Sequence, residues 1–206
     1  MRDLERPRLV LASTSPRRQE LLGLLGLPFE VIGSLYDESV ILPDGMTPAD
    51  YVTRLAQGKA SEVAGRLDAN ALVIGADALV IGADTTVVLD GQFLNKPTGP
   101  DDAASMLRRL SGRTHEVYTG LCVIHGQTLL TSYAVTEVTF AALTDETIAA
   151  YVATGEPLDK AGAYGIQGKA LSFIPSISGD YFNVVGLPLY LLGQMLAQFS
   201  INLWKS

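Results

Sequence analysis

Leu9-Val-Leu-Ala-Ser-Thr-Ser-Pro-Arg-Arg-Gln-Glu-Leu-Leu22 passes from a short apolar run through a Ser/Thr/Pro turn into a helix with two arginines at its start. Ser15 is a natural N-cap, and Pro16 suits the first helical position. Arg17 and Arg18 follow where backbone N–H groups are unpaired and the helix dipole is positive. Cations there work against the dipole, and a negative ligand such as a phosphate on the helix end relieves the repulsion. An ordinary strand, capped turn and surface helix with two solvated arginines would use the same residues, so the stretch alone leaves both readings open.

The 206 residues, 48% of them hydrophobic, suffice for one large domain or for two lobes sharing a sheet, with a substantial core. A single cysteine, Cys122, excludes an intrachain disulfide and a cysteine cluster for zinc, and fits a reducing cytoplasm. Two histidines, His115 and His125, are too few for a histidine-based metal site. A metal here is therefore expected to be a hard cation on carboxylates and substrate phosphates, Mg2+ or Mn2+. The charged N-terminus leads into too short an apolar run for a signal peptide, and no stretch is apolar enough to span a membrane, so a cytoplasmic protein is expected. The net charge of −7 argues against a nucleic-acid polymer as partner. An anionic small molecule fits only if positive charge is concentrated in one place.

Along the chain, Phe29–Ile32 predicts a second strand, followed by the acidic loop Tyr36-Asp-Glu38. Thr47-Pro-Ala-Asp50 opens a helix to about Ala64, with Val52, Leu55, Ala56, Ala60 and Val63 as its apolar stripe. Lys59 falls on or beside that stripe, where it either snorkels to the surface or reaches into a pocket. Ala71-Leu-Val-Ile-Gly-Ala-Asp77 is then repeated as Ala78-Leu-Val-Ile-Gly-Ala-Asp84, a local duplication too short for a solenoid repeat. Asp90-Gly91 marks a hairpin turn before Asn95-Lys-Pro97, and Pro100–Leu110 predicts a helix. Three strand segments follow, Thr114–Thr119, Leu121–Ile124 and Leu129–Phe140, and Thr144 caps a helix to about Thr154. The loop from Glu156 to Gly168 is glycine-rich without a dinucleotide fingerprint. Leu171–Ile174 and Tyr181–Val185 predict strands, and Pro188 opens a last helix.

No P-loop, Gly-x-Ser-x-Gly elbow, His-Glu-x-x-His or cysteine pair is present. Instead, cations at Arg17, Arg18, Lys59, Lys96 and Lys160 and carboxylates at Glu38 and Asp84 fall at element ends or in loops, a set suited to phosphoryl chemistry. Four segments carry a closer resemblance: Leu11-Ala-Ser-Thr-Ser-Pro-Arg-Arg-Gln-Glu-Leu-Leu22; Gly82-Ala-Asp-Thr85 with Lys96-Pro97; Glu156-Pro-Leu-Asp-Lys-Ala-Gly-Ala-Tyr-Gly-Ile-Gln-Gly168; and Asn183-Val-Val-Gly-Leu-Pro188. Together they resemble the Maf family of nucleoside triphosphate pyrophosphatases, from about Leu9 to the C-terminal helix. The third is similar to the branch acting on dTTP and UTP.

The resemblance implies an α/β fold: an elongated mixed sheet flanked by helices, a single Maf-like domain over 1–206 of two lobes with a central cleft, similar to the inosine triphosphatase-like architecture. It makes Asp84 the proton acceptor that prepares water for attack on the α-phosphorus, with Lys59 and Lys96 on the cationic side. Ser13, Ser15 and Arg18 would grip phosphates, and Glu38 with Asp84 would hold a divalent cation. Arg17, Thr85 and Gln167 match positions associated with base choice; a glutamine amide offers a pyrimidine edge both donor and acceptor. The implied activity is hydrolysis of dTTP and UTP, and of modified pyrimidine triphosphates, to monophosphate and pyrophosphate, with a homodimer expected. The competing class is a non-catalytic nucleotide-binding regulator of cell division or septum formation. The duplication departs from the family pattern and makes Asp77 a rival for Asp84, which is preferred because Thr85 and the interval to Lys96 follow it. Gly58 stands where the family often has glutamate, and Gly168-Lys-Ala-Leu171 replaces a more glycine-rich run.

Overall fold

The structure is a computed structural model that describes residues 7–40, 44–69 and 78–203. The first copy of the duplication, and Asp77 with it, lies outside the described residues. Among the described residues, seven strands form one mixed sheet: β1 (Arg8–Leu11), β2 (Phe29–Val31), β3 (Ala78–Leu89), β4 (Gln92–Leu94), β5 (Thr114–His125), β6 (Thr128–Thr139) and β7 (Ser176–Ser178). Their order is β2-β1-β3-β5-β6-β7, with β4 paired to β3. β2, β1 and β3 run parallel, and the remaining pairings are antiparallel. The helices are α1 (Pro16–Gly23), α2 (Pro48–Ala69), α3 (Pro100–Leu110), α4 (Asp145–Val152), α5 (Tyr181–Val185) and α6 (Leu189–Gln198). No helix among the described residues is long and apolar enough to cross a membrane.

Alternation along the strands divides the core between the two faces of the sheet. Val10, Ala12, Val80 and Cys122 meet Ala56, Ala60 and Val63 of α2 on one face. Leu9, Leu11, Leu79 and Ile81 meet residues of α1, α3, α4 and α6, among them Leu22, Leu107, Ile148 and Leu192, on the other. α2 outlasts its expected end near Ala64 because Ala64 and Leu67 carry the same stripe onward against the sheet. Thr47 caps it by accepting from Asp50 N–H at 3.1 Å.

The seam between α2 and the sheet is unusually close. A Cβ on Gly82 would stand 2.2 Å from the Ala56 carbonyl oxygen, and one on Gly120 would stand 2.4 Å from the Val52 carbonyl. The expected break between two strands at Gly120 is therefore absent: β5 runs straight through, because this glycine serves the approach of helix backbone to sheet. Gly120→Ala is expected to lower the unfolding free energy by about 3 kcal/mol, at the upper end of overpacking costs because the atoms it meets are backbone. A fall in the urea midpoint at unchanged slope measures it.

Two expected strands are helical turns. Lys169–Phe173 forms a 3-10 turn that buries Phe173. Tyr181–Val185 is α5, because the Asp180 carboxylate accepts from Phe182 N–H at 2.8 Å and caps it. The short strand falls instead at β7, paired with the end of β6. His115 is buried on β5 with Nε2 2.8 Å from the Tyr164 hydroxyl, and burial pushes its pKa down to about 4, so it is neutral.

Candidate active site

β1 pairs with Ala78–Ile81 of β3, and β4 pairs with Val87–Leu89 of the same strand. Between those pairings, residues 82–86 have no strand partner on that side among the described residues. The gap lies beyond the carboxyl end of β1, where open α/β sheets bind ligands. Because the edge is open there, two consecutive residues whose side chains point to opposite faces, Asp84 and Thr85, both line one cavity of about 650 Å3. All ten residues expected from the sequence to form a site line it: Ser13, Ser15, Arg17, Arg18, Glu38, Lys59, Asp84, Thr85, Lys96 and Gln167.

Ala12–Ser15 leaves β1 along one side of that cavity. Ser15 occupies the N-cap position of α1 but makes no side-chain cap hydrogen bond, contrary to the expected cap, and Pro16 follows at the first helical position. Ser13 Oγ accepts from Ser15 N–H at 3.2 Å and from Arg18 Nη1 at 3.5 Å. Both acceptor sites of that hydroxyl are thereby occupied, which leaves its proton for an anion. Arg18 donates from Nε to the Gly186 carbonyl at 2.8 Å and from Nη2 to Thr85 Oγ1 at 3.0 Å. Burial lowers its pKa, with Asp84 and Glu38 opposing, but a guanidinium keeps its charge, so the result is a fixed cation.

On the opposite side Lys59 Nζ lies 2.6 Å from Asp84 Oδ1 and 3.0 Å from Glu38 Oε1. The sequence left Lys59 between snorkelling and reaching into a pocket; it is 9% exposed and reaches into the pocket. Burial raises the Asp84 pKa above the ordinary carboxylate range, Lys59 and Arg18 pull it back, and Glu38 raises it further. Glu38 itself is half exposed, on a loop stapled to α2. Glu62 on α2 accepts from Leu35 N–H at 2.9 Å and from the Ser34 hydroxyl at 3.0 Å.

The far wall is the glycine-rich loop, folded into successive 3-10 turns with Ala163 and Tyr164 buried. Glu156 holds it together, accepting from the Tyr151 hydroxyl at 2.8 Å and from Lys169 N–H at 3.1 Å, on either side of the segment that carries Gln167. Lys160 donates to Asp159 and to the Glu156 carbonyl, both at 2.6 Å, so this cation braces the loop. Arg17 and Lys96 also line the cavity, and the Arg17 charge helps to lower the Asp159 pKa.

Glu38 and Asp84, both paired with Lys59, supply hard oxygen donors, and no group of three or more His, Cys, Asp or Glu gathers among the described residues. That set suits Mg2+ or Mn2+, which binds through one or two carboxylates and completes its shell with water and substrate phosphates. It does not suit a caged transition metal.

The sequence profile described as Maf-like protein matches residues 8–199. The chain belongs to the Maf family. It is 54% identical over 200 residues to a protein of Moorella thermoacetica named dTTP/UTP pyrophosphatase, covering 96% of this chain and 97% of that one. A protein of Symbiobacterium thermophilum with the same name is 52% identical, covering 93% of each chain. One from Bacillus cereus is 47% identical over 95% of this chain and 97% of its own. Among solved structures, the Staphylococcus aureus Ham1 protein aligns over 93% of this chain and 99% of its own, with a TM-score of 0.45 and 17% identity.

Two of the three departures from the Maf pattern, at Gly58 and at Gly168, have visible local consequences. A Cβ on Gly58 would fall 2.4 Å from the Tyr36 ring, so glycine lets Tyr36 lie flat on α2 beside Lys59 and dock the Glu38 loop. Gly168 packs against the Glu156 carboxylate with no room for a side chain. Sequence reasoning missed Glu62, which staples the Glu38 loop to α2, and Glu156, which stood in a quoted motif without a role.

Proposed function

We propose that this Maf chain hydrolyses dTTP and UTP, and modified pyrimidine triphosphates, to nucleoside monophosphate and pyrophosphate. The observation that carries the reading is Asp84, a buried carboxylate of raised pKa on the open edge of β3, facing a cavity ringed by Arg17, Arg18, Lys59 and Lys96. The names of the relatives, at about half identity over nearly the whole length, support the substrates.

Asp84 accepts a proton from a water molecule as that water attacks the α-phosphorus, and the bond from the α-phosphorus to the bridging oxygen breaks to release pyrophosphate. A carboxylate whose pKa is raised is a stronger base for this step than an ordinary one. Ser13, Ser15 and Arg18 bind phosphate oxygens, and Arg18 arrives already oriented by Gly186 and Thr85, which lowers the ordering cost on binding. Lys59 and Lys96 offset the charge that develops on the phosphates. Glu38 and Asp84 would hold a divalent cation, which when bound spreads charge over the phosphate oxygens. Gln167, Arg17 and Thr85 choose the base. A two-lobed arrangement about the cavity, a cytoplasmic setting and a homodimer belong to the same proposal.

Pyrophosphate release measured across the common nucleoside triphosphates with Mg2+ or Mn2+ tests it. Turnover of dTTP and UTP at least tenfold above the purine nucleotides is expected. Release of orthophosphate instead of pyrophosphate, or no preference among bases, would overturn it.

A further inference from the structure

A buried chain of hydrogen bonds runs behind the cavity and ends on Thr85. Thr119, on β5 and fully buried, donates from Oγ1 to the Asn183 carbonyl at 2.9 Å. A carbonyl only accepts, so the single proton of Thr119 belongs to that bond. Thr119 Oγ1 also lies 3.0 Å from Thr85 Oγ1, and with its own proton committed it is the acceptor of that pair. Thr85 therefore donates to Thr119. Thr85 in turn accepts from Arg18 Nη2 at 3.0 Å, so this residue of the cavity lining has one lone pair and no proton left for a further partner.

The Asn183 end of this chain is rigid. Its side chain is fully buried and donates from Nδ2 to the Val117 carbonyl and to Thr136 Oγ1, each at 2.9 Å. Thr136 donates to the Asp180 carbonyl at 3.0 Å, and Asp180 N–H returns to Thr136 Oγ1 at 3.0 Å. The acceptor that fixes the proton of Thr119 is thus held by β5, β6 and the start of α5 together.

We propose that Thr119 is a specificity-determining positioning residue: by taking the Thr85 proton it makes Thr85 an acceptor-only contact toward the nucleobase. Thymine and uracil present an N3–H donor on their pairing edge, flanked by carbonyl oxygens. Cytosine presents a bare N3 acceptor at the same position. An acceptor-only hydroxyl pairs with the imide N–H and opposes the cytosine lone pair, so the relay selects imide bases over cytosine. A hydroxyl free to rotate would serve either base, and a site that leaves a polar group unmatched discriminates far more strongly than one that adapts. This inference rests on the pyrimidine triphosphate activity proposed above.

Thr119→Val keeps the shape and removes the relay, whereas Thr119→Ser keeps the hydroxyl. Pyrophosphate release from UTP and from CTP is measured for wild type and both variants, with thermal unfolding as a control for folding. The ratio of kcat/KM for UTP to that for CTP is expected to fall about tenfold in Thr119→Val, mainly through a lower KM for CTP, and to stay within about twofold of wild type in Thr119→Ser. If wild type turns over neither nucleotide, the proposed function fails and not the relay alone. If wild type prefers UTP and a folded Thr119→Val keeps the same ratio, or Thr119→Ser loses it as fully as valine does, the relay is overturned. Should Thr119→Val not fold, an unaltered ratio in Thr85→Val, which removes the proposed contact itself, overturns it instead.

Discussion

Asp84→Asn is expected to lower kcat for pyrophosphate release by about 10³-fold, within the range for loss of a general base, while KM changes less than about threefold. The amide is nearly isosteric and can still accept from Lys59 through its oxygen, and Lys59 retains Glu38 at 3.0 Å, so the site keeps its shape. The lost function is the ability to take a proton from water. Steady-state kinetics with dTTP measure it, and a variant retaining more than about a tenth of wild-type kcat would remove Asp84 from the chemistry. Asp77→Asn, at the rival position, is expected to leave kcat within about twofold, because Thr85 and the open edge of β3 belong to Asp84.

Lys59→Met is expected to reduce kcat/KM by about 10²-fold or more and to move the acidic limb of its pH profile upward. Lys59 lowers the Asp84 pKa, whereas burial and Glu38 raise it. Without the ammonium only the raising influences and the more distant Arg18 remain, so Asp84 gives up its proton at higher pH and acts as a base over a narrower range. Stability follows the same linkage with a definite sign. A carboxyl whose folded pKa lies above its unfolded one binds its proton more tightly when folded, so stability falls as pH rises from the unfolded pKa through the folded one. The variant is therefore expected to lose about 3 kcal/mol at neutral pH, the scale for removing one partner of a buried pair, and markedly less near pH 4. Urea unfolding at the two pH values measures the difference. Equal losses at both would mean that Lys59 acts through packing and not through charge.

Much of this site was legible before folding was considered, because its chemistry is written in short segments. Ser13–Arg18, Lys59, Asp84-Thr85, Lys96 and Gln167 stand in local patterns of cap, stripe, strand end and loop, and the cavity gathers them all. The errors arose where one residue type has two physical uses. Gly120 reads as a turn, yet it admits the backbone of α2 to the sheet. Tyr181–Val185 reads as a strand because its residues are aromatic and β-branched, but Asp180 caps them into a helix. Ser15 reads as a cap, yet it makes no side-chain cap hydrogen bond and lines the cavity.

The amino-acid sequence by itself determined the kinds of group available, most strands and helices ahead of the glycine-rich loop, and the family, since each rests on short segments. Tertiary structure alone decided which of those groups remain free to act. Arg18 is oriented by a carbonyl 168 residues away, and the proton of Thr85 is directed by Thr119, 34 residues on, whose own proton is claimed by Asn183 another 64 residues along. A hydroxyl carries one proton whatever its sequence context. Where that proton points is set by the acceptors folding brings around it, so the polarity of the Thr85 hydroxyl exists only in the assembled sheet.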